Sequence, residues 1–281
     1  MPSKSVLGGY GSAWSDSPPR PLCPPESRNL ERMIQRRRGE RTQKGNPHRL
    51  TREQHVIPVA TLRRFAQSDG RVEVHFRDGR IVKLPVDDQL FCVERLWDQR
   101  AEAGYMKKIE DEFQALIDEL ETGQSGPLAT AQYRCITRFW GLWHWRNHFI
   151  DSPLEDMQLN GIAGELLTLD QKEILESRWY AFAVGDGKLP ARIMTGLQIQ
   201  IAIDRYEMAN GGKRWGVFRS PAMPLVIGDR PGNLMSLPAS PRLLLAADNP
   251  DGELTEYEAL RANQAASALS RNFAVVGRFH P

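Results

Sequence analysis

RWGVFRSPAMPLVIGDRPGNLMSLPASPRLLLAAD, residues 214–248, is the stretch that decides the fold class. Short apolar runs separated by Pro, Gly, Ser and Asn read as strand, turn, strand, loop and a third strand. Val226 and Ile227 lead into Gly228-Asp229-Arg230-Pro231, so Asp229 follows an apolar run inside a glycine-proline bracket. A strand ending in such a bracket is a frequent way for a rigid scaffold to present a polar group to a cleft. Asp229 is therefore the first candidate site residue.

Helical patterns lie on both sides of this stretch. Met106, Ile109, Phe113, Leu116 and Leu120 recur at three- and four-residue spacing within 92–122, and Gly104 is expected to divide that segment into two helices. Glu110 stands at the edge of the apolar face. PLATAQYRCITRFWGLWHWRNHFI (127–150) is apolar around almost its whole circumference and reads as the central buried helix. Arg146 projects into its apolar sector, and a buried guanidinium demands a carboxylate or an anionic ligand.

Thr168-x-x-Gln171 is a capping box opening a helix that Gly185 is expected to close. A further helix covers about 189–209. Thr255-x-x-Glu258 caps a terminal helix expected to reach about Val275, and Asn263 lies in its alanine-rich face and needs partners if buried. Asp78-Gly79 between β-rich runs predicts a hairpin with strands at 71–76 and 80–85. Together these elements predict an α+β fold: about six helices around a small, mostly antiparallel sheet, in one globular domain over 51–281.

Pro58 fits the first turn of a helix running to about Ala66, which leaves His55 just outside a helix N-terminus. The positive end of the helix dipole disfavours a protonated imidazole there, so a neutral His55 could serve as acid, base or ligand. Arg63 lies in the same helix. His144 and His148 form an HxxxH pair, but Trp145 stands where the HExxH metalloprotease motif has its glutamate, and no third ligand is evident.

Composition narrows the class. Hydrophobic content of 41% and charged content of 26% are those of an ordinary globular protein. No apolar run approaches the ~20 residues of a membrane helix, and no signal-peptide core opens the chain, so a cytoplasmic protein without membrane contact is expected. Cys23, Cys92 and Cys135 form no CxxC pair. Walker loop, GxGxxG, GxSxG and Cys/His nucleophile patterns are missing, which removes several common enzyme classes. The net charge of +2 conceals an asymmetry, for residues 1–52 hold 11 Lys/Arg against 4 Asp/Glu. The first 50 residues, rich in Pro, Ser and Gly before a charge-dense run, are expected to form a disordered basic arm with a transient helix over Asn29 to Arg38. Such an arm is either a solvated extension or a contact for nucleic acid.

The order of these features resembles the uncharacterised family catalogued as domain of unknown function 4238 (DUF4238). QHVIPVATLRRFA (54–66), IEDEFQALIDEL (109–120), FWGLWHWRN (139–147), VIGDRPGNL with LPASPRLLL (226–245) and RANQAASALSRNFAVV (261–276) carry the resemblance, over about residues 51–277. Val56 departs from the family's aromatic, and no proline follows Arg146. The resemblance implies fold and site geography: His55, Glu110 and Asp229 as chemical groups, with Arg63, Arg146 and Asn263 as binding groups. It implies no activity.

A histidine, two acids and two arginines suit an anionic, phosphate-containing substrate. The arginines would hold phosphate, while His55 with Glu110 or Asp229 would move protons or hold a divalent metal such as Mg or Mn. The expected function is thus a phosphodiesterase or nuclease acting on nucleic acid or nucleotide. A non-catalytic nucleotide- or anion-binding module is a second reading. The third is a structural ion-pair network, such as Arg146 with Glu110 and His55 with Asp229.

Overall fold

A computed structural model describes residues 41–123, 127–232 and 235–279; the expected basic arm lies outside them up to residue 40. Strand β1 (Glu53–His55) leads into the short helix α1 (Val59–Phe65). Strands β2 (Arg71–Phe76) and β3 (Ile81–Pro85) then form the expected hairpin. Its turn needs a left-handed residue, and Gly79 supplies it at φ 88°.

Asp88 caps a 3-10 turn over Gln89–Phe91, accepting from Leu90 N at 2.8 Å, and the chain runs directly into β4 (Cys92–Glu94). The first part of the 92–122 segment is therefore extended. Helical backbone starts only at Gln99, and Gly104 does not divide it. Ala101–Met106 forms a π-helical turn that runs without interruption into α2 (Lys107–Glu121).

The aromatic helix α3 spans Thr130–Asp151. Strand β5 (Met157–Gln158) precedes α4 (Leu169–Ser177), whose Thr168–Gln171 capping box is formed. This helix stops well before Gly185: Trp179 adopts a left-handed φ of 67°, which a helix cannot continue through. Strand β6 (Lys188–Leu189) pairs with β5 and leads to α5 (Ala191–Asn210).

The 214–248 stretch contains four strands: β7 (Trp215–Arg219), β8 (Val226–Gly228), β9 (Ser236–Ser240) and β10 (Leu243–Ala247). They do not share a sheet. After β11 (Gly252–Glu253), the Thr255 box opens α6 (Glu256–Leu269), and β12 (Phe273–Val276) occupies residues expected to be helical. One four-stranded sheet runs β11-β7-β10-β9 and the other β3-β2-β12-β8. All their pairs are antiparallel except β11 beside β7. The α+β class is therefore correct.

The described residues fall into two compact units. The first comprises residues up to Ala60 and Asp87–Gly212; the second comprises Thr61–Val86 and everything from Lys213 onward. In the first, α2 and α5 both pack on α3. Ile109, Phe113, Leu116, Ile117 and Leu120 are buried on α2, and the Phe113 ring stacks on Phe139 of α3 at 3.7 Å between centroids. In the second, α6 lies against β8, and Phe218, Leu225, Leu244, Ala246, Leu254 and Ala259 form a buried cluster. No helix among the described residues is long and apolar enough to cross a membrane.

Candidate functional site

The first unit collects three of the residues singled out in the sequence. Arg146 on α3 has only 2% of its side chain exposed, so its charge needs a counter-charge. Its Nη1 lies 2.5 Å from Glu110 Oε1, and its Nη2 lies 3.6 Å from Glu102 Oε2. Nη2 also reaches Met106 Sδ at 3.5 Å, and the guanidinium lies over the Trp97 ring at 5.2 Å from its centroid. Both carboxylates are partly exposed, so the cluster is a buried cation under two acids that reach solvent.

Glu102 was not visible in the sequence. It precedes Glu110 by eight positions, which on a regular helix of ~3.6 residues per turn leaves the two about 80° apart. The π turn over Ala101–Met106 winds more residues into each turn and closes that angle, so both acids meet one arginine. No residue pattern announces a π turn, and the glycine inside it reads as a break.

His55 completes the group. Its strand β1 pairs with β4 in the register His55 with Cys92. Burial holds the imidazole below its ordinary range, opposed by Glu102, while Arg146 pushes it down as well. The ring is thus neutral at pH 7, and its buried Nε2 has no hydrogen-bond partner among the described residues. Glu110 is shifted the other way. Burial raises its carboxyl, and Arg146 only partly offsets that. A base held neutral and an acid pushed toward keeping its proton, both acted on by Arg146 and Glu102, are the kinds of group that general acid–base chemistry uses.

The other three residues belong to the second unit. Arg63 on α1 is exposed. Asp229, directly after β8, is buried, and both its oxygens serve the backbone: Oδ1 accepts from Arg271 N at 2.7 Å and Oδ2 from Asn272 N at 2.8 Å. Asp229 N donates to Phe273 O at 3.1 Å. Burial still raises its carboxyl above the usual range, against those backbone donors. Asn263 on α6 is also satisfied by main chain, accepting from Val226 N at 2.9 Å and donating to Pro224 O at 2.9 Å. These two residues tie α6 and β12 to β8.

A second charged group lies deeper in the first unit. Glu176 of α4 accepts from Arg95 Nη2 at 2.7 Å and Arg192 Nε at 2.8 Å, with all three side chains buried. Asp98, also buried, sits against Gly196 of α5, and burial pushes its carboxyl up to about 6. Its Oδ1 has no hydrogen-bond partner among the described residues. Here every charge is enclosed, so this group reads as architecture. His144 stacks on Trp140 at 5.1 Å, and His148 meets Trp145 edge-on. Among the described residues no group of three or more His, Cys, Asp and Glu is arranged to hold a metal.

Compared with known proteins, the chain matches no family model, no curated protein and no solved structure.

Proposed function

We propose that the chain is a hydrolase of phosphate-containing substrates, a phosphodiester in the first instance, with His55 as general base and Glu110 as general acid. The observation that carries this reading is the buried, unpartnered Nε2 of a His55 ring held neutral beside Glu102 and Arg146. A neutral imidazole nitrogen without a partner is poised to take a proton from a bound water. Glu110, with its carboxyl raised by burial, keeps a proton for the leaving oxygen. Protonation of Glu110 also leaves Arg146 balanced by Glu102 alone, so an anionic substrate meets a neutral site instead of a negative one.

The test is a turnover screen on nucleic acids, nucleotides and generic phosphodiesters, with and without Mg or Mn, comparing wild type with His55→Ala and Glu110→Gln. Both variants should lose activity while keeping the wild-type melting temperature. The rate should follow a bell in pH, rising as His55 deprotonates and falling as Glu110 does.

One observation favours a second reading, a structural ion-pair network. Arg146 is nearly inaccessible and already engaged by two carboxylates. In that case Glu110→Gln lowers the melting temperature, because it strips a partner from a buried charge, and no substrate is turned over.

A further inference from the structure

We propose that Trp97 is a positioning residue of this site: its indole N–H holds Oε2 of Glu102 and turns the other carboxylate oxygen toward the bound group. This inference rests on reading His55, Glu102, Glu110 and Arg146 as a proton-transfer site, and it concerns what aims Glu102. Trp97 is fully buried, and its Nε1 donates to Glu102 Oε2 at 2.5 Å. Arg146 Nη2 approaches the same oxygen at 3.6 Å. Both contacts fall on Oε2, and no hydrogen bond to Oε1 forms among the described residues. A glutamate carries three side-chain torsions, and one fixed oxygen removes most of that freedom.

Trp97 is itself held. Gln54, buried in β1 beside His55, donates from Nε2 to Trp97 O at 2.7 Å and accepts from Trp97 N at 3.1 Å through Oε1. Both ends of one amide therefore grip both polar groups of the Trp97 backbone. Because Gln54 and His55 are neighbours on a single strand, the same element sets the imidazole and, through Trp97, the carboxylate. The Trp97 ring face lies under the Arg146 guanidinium as well, so one indole locates the acid with its edge and the guanidinium with its face. No packing requirement calls for an N–H donor at this position, since phenylalanine would fill much of the same apolar space.

The test uses the full chain and NMR titration of the His55 ring in wild type, Glu102→Gln and Trp97→Phe. Glu102→Gln removes the acid that favours the imidazolium, so the His55 midpoint should move down. Trp97→Phe keeps a ring beneath Arg146 but frees Glu102, and it should shift His55 in the same direction. A His55 midpoint that stays at the wild-type value in Trp97→Phe while moving in Glu102→Gln overturns the proposal. So does a midpoint that moves in neither. Should Trp97→Phe fail to fold, the wild-type indole proton of Trp97 decides. It should exchange slowly and change its resonance in Glu102→Gln, and an indole proton indifferent to that change overturns the proposal equally. Where turnover is found, Trp97→Phe should lower kcat by about 10²-fold with KM nearly unchanged. The two readings fail separately: absent turnover with a shifted His55 sinks the hydrolase alone, whereas turnover with an unmoved His55 sinks the role of Trp97 alone.

Discussion

Arg146, buried in an apolar sector of α3, needs acidic partners, and Glu102 and Glu110 provide them. Asn263 in an alanine-rich face required hydrogen bonds and makes two with the main chain. Asp229 shows where such reasoning stops. Its glycine-proline bracket suggested display to a cleft, but the carboxylate turns inward and takes two backbone amides between α6 and β12. Those amides come from residues more than forty positions away, and no local pattern records them. Asp229→Asn replaces one acceptor with an amide nitrogen facing a donor, so one backbone N–H loses its bond and meets a like group. Hydrogen bonds to a charged acceptor contribute about 1.5–3 kcal/mol each, and the variant should lose about 2 kcal/mol in urea unfolding. A loss below a few tenths of that would mean that the two amides find other acceptors.

At the scale of elements, starts were more legible than ends. Both capping boxes form where Thr168 and Thr255 announce them, and the Asp78-Gly79 turn joins the strands it predicts, because each signal is local. The ends depend on distant partners. Residues 273–276 could continue α6, but the run Phe-Ala-Val-Val is also a good strand, and pairing with β2 on one side and β8 on the other decides for the sheet. The π turn before α2 has no sequence signature, and it hid Glu102.

Two glycines make contrasting tests of this helical region. A Cβ at Gly196 would stand 2.0 Å from Asp98 Oδ1 and 2.9 Å from Ala101 Cβ, so Gly196→Ala must push α5 away from the helix start and should cost about 1–3 kcal/mol. At Gly104 the nearest atoms, in the Trp179 ring, are 3.7 Å away, an ordinary contact. Gly104→Ala should therefore be neutral or stabilising by up to about 1 kcal/mol, the usual helical preference for alanine. Thermal unfolding of the pair checks both signs, and a destabilised Gly104→Ala would show that the π turn itself needs glycine.

For the molecule as a whole, buried ionisable groups set how stability responds to pH, and they oppose one another. His55 and His144 are depressed, mainly by burial, so the folded state binds fewer protons than the unfolded chain. Their contribution is present above the unfolded value of 6.5 and is lost as pH falls below it. Asp98, Glu110 and Asp229 are raised, again mainly by burial, so the folded state holds protons that the unfolded chain releases. For Asp98 the interval runs from the ordinary 3.8 to about 6. Above about 6 the folded protein carries the full cost of a buried carboxylate, and the cost disappears as pH falls through that interval. Arg100, 3.6 Å away, relieves only part of it. Asp98→Asn never carries the charge, so its stability should follow the remaining groups alone. An interval of about two pH units, at about 1.4 kcal/mol for each, corresponds to about 3 kcal/mol. Between about pH 7 and about pH 4, wild type should therefore gain up to about 3 kcal/mol relative to Asp98→Asn, most of it below about pH 6. Urea midpoints of the two proteins at several pH values measure that difference directly. Parallel curves would mean that Asp98 stays ionised in the fold and that Arg100 compensates it fully.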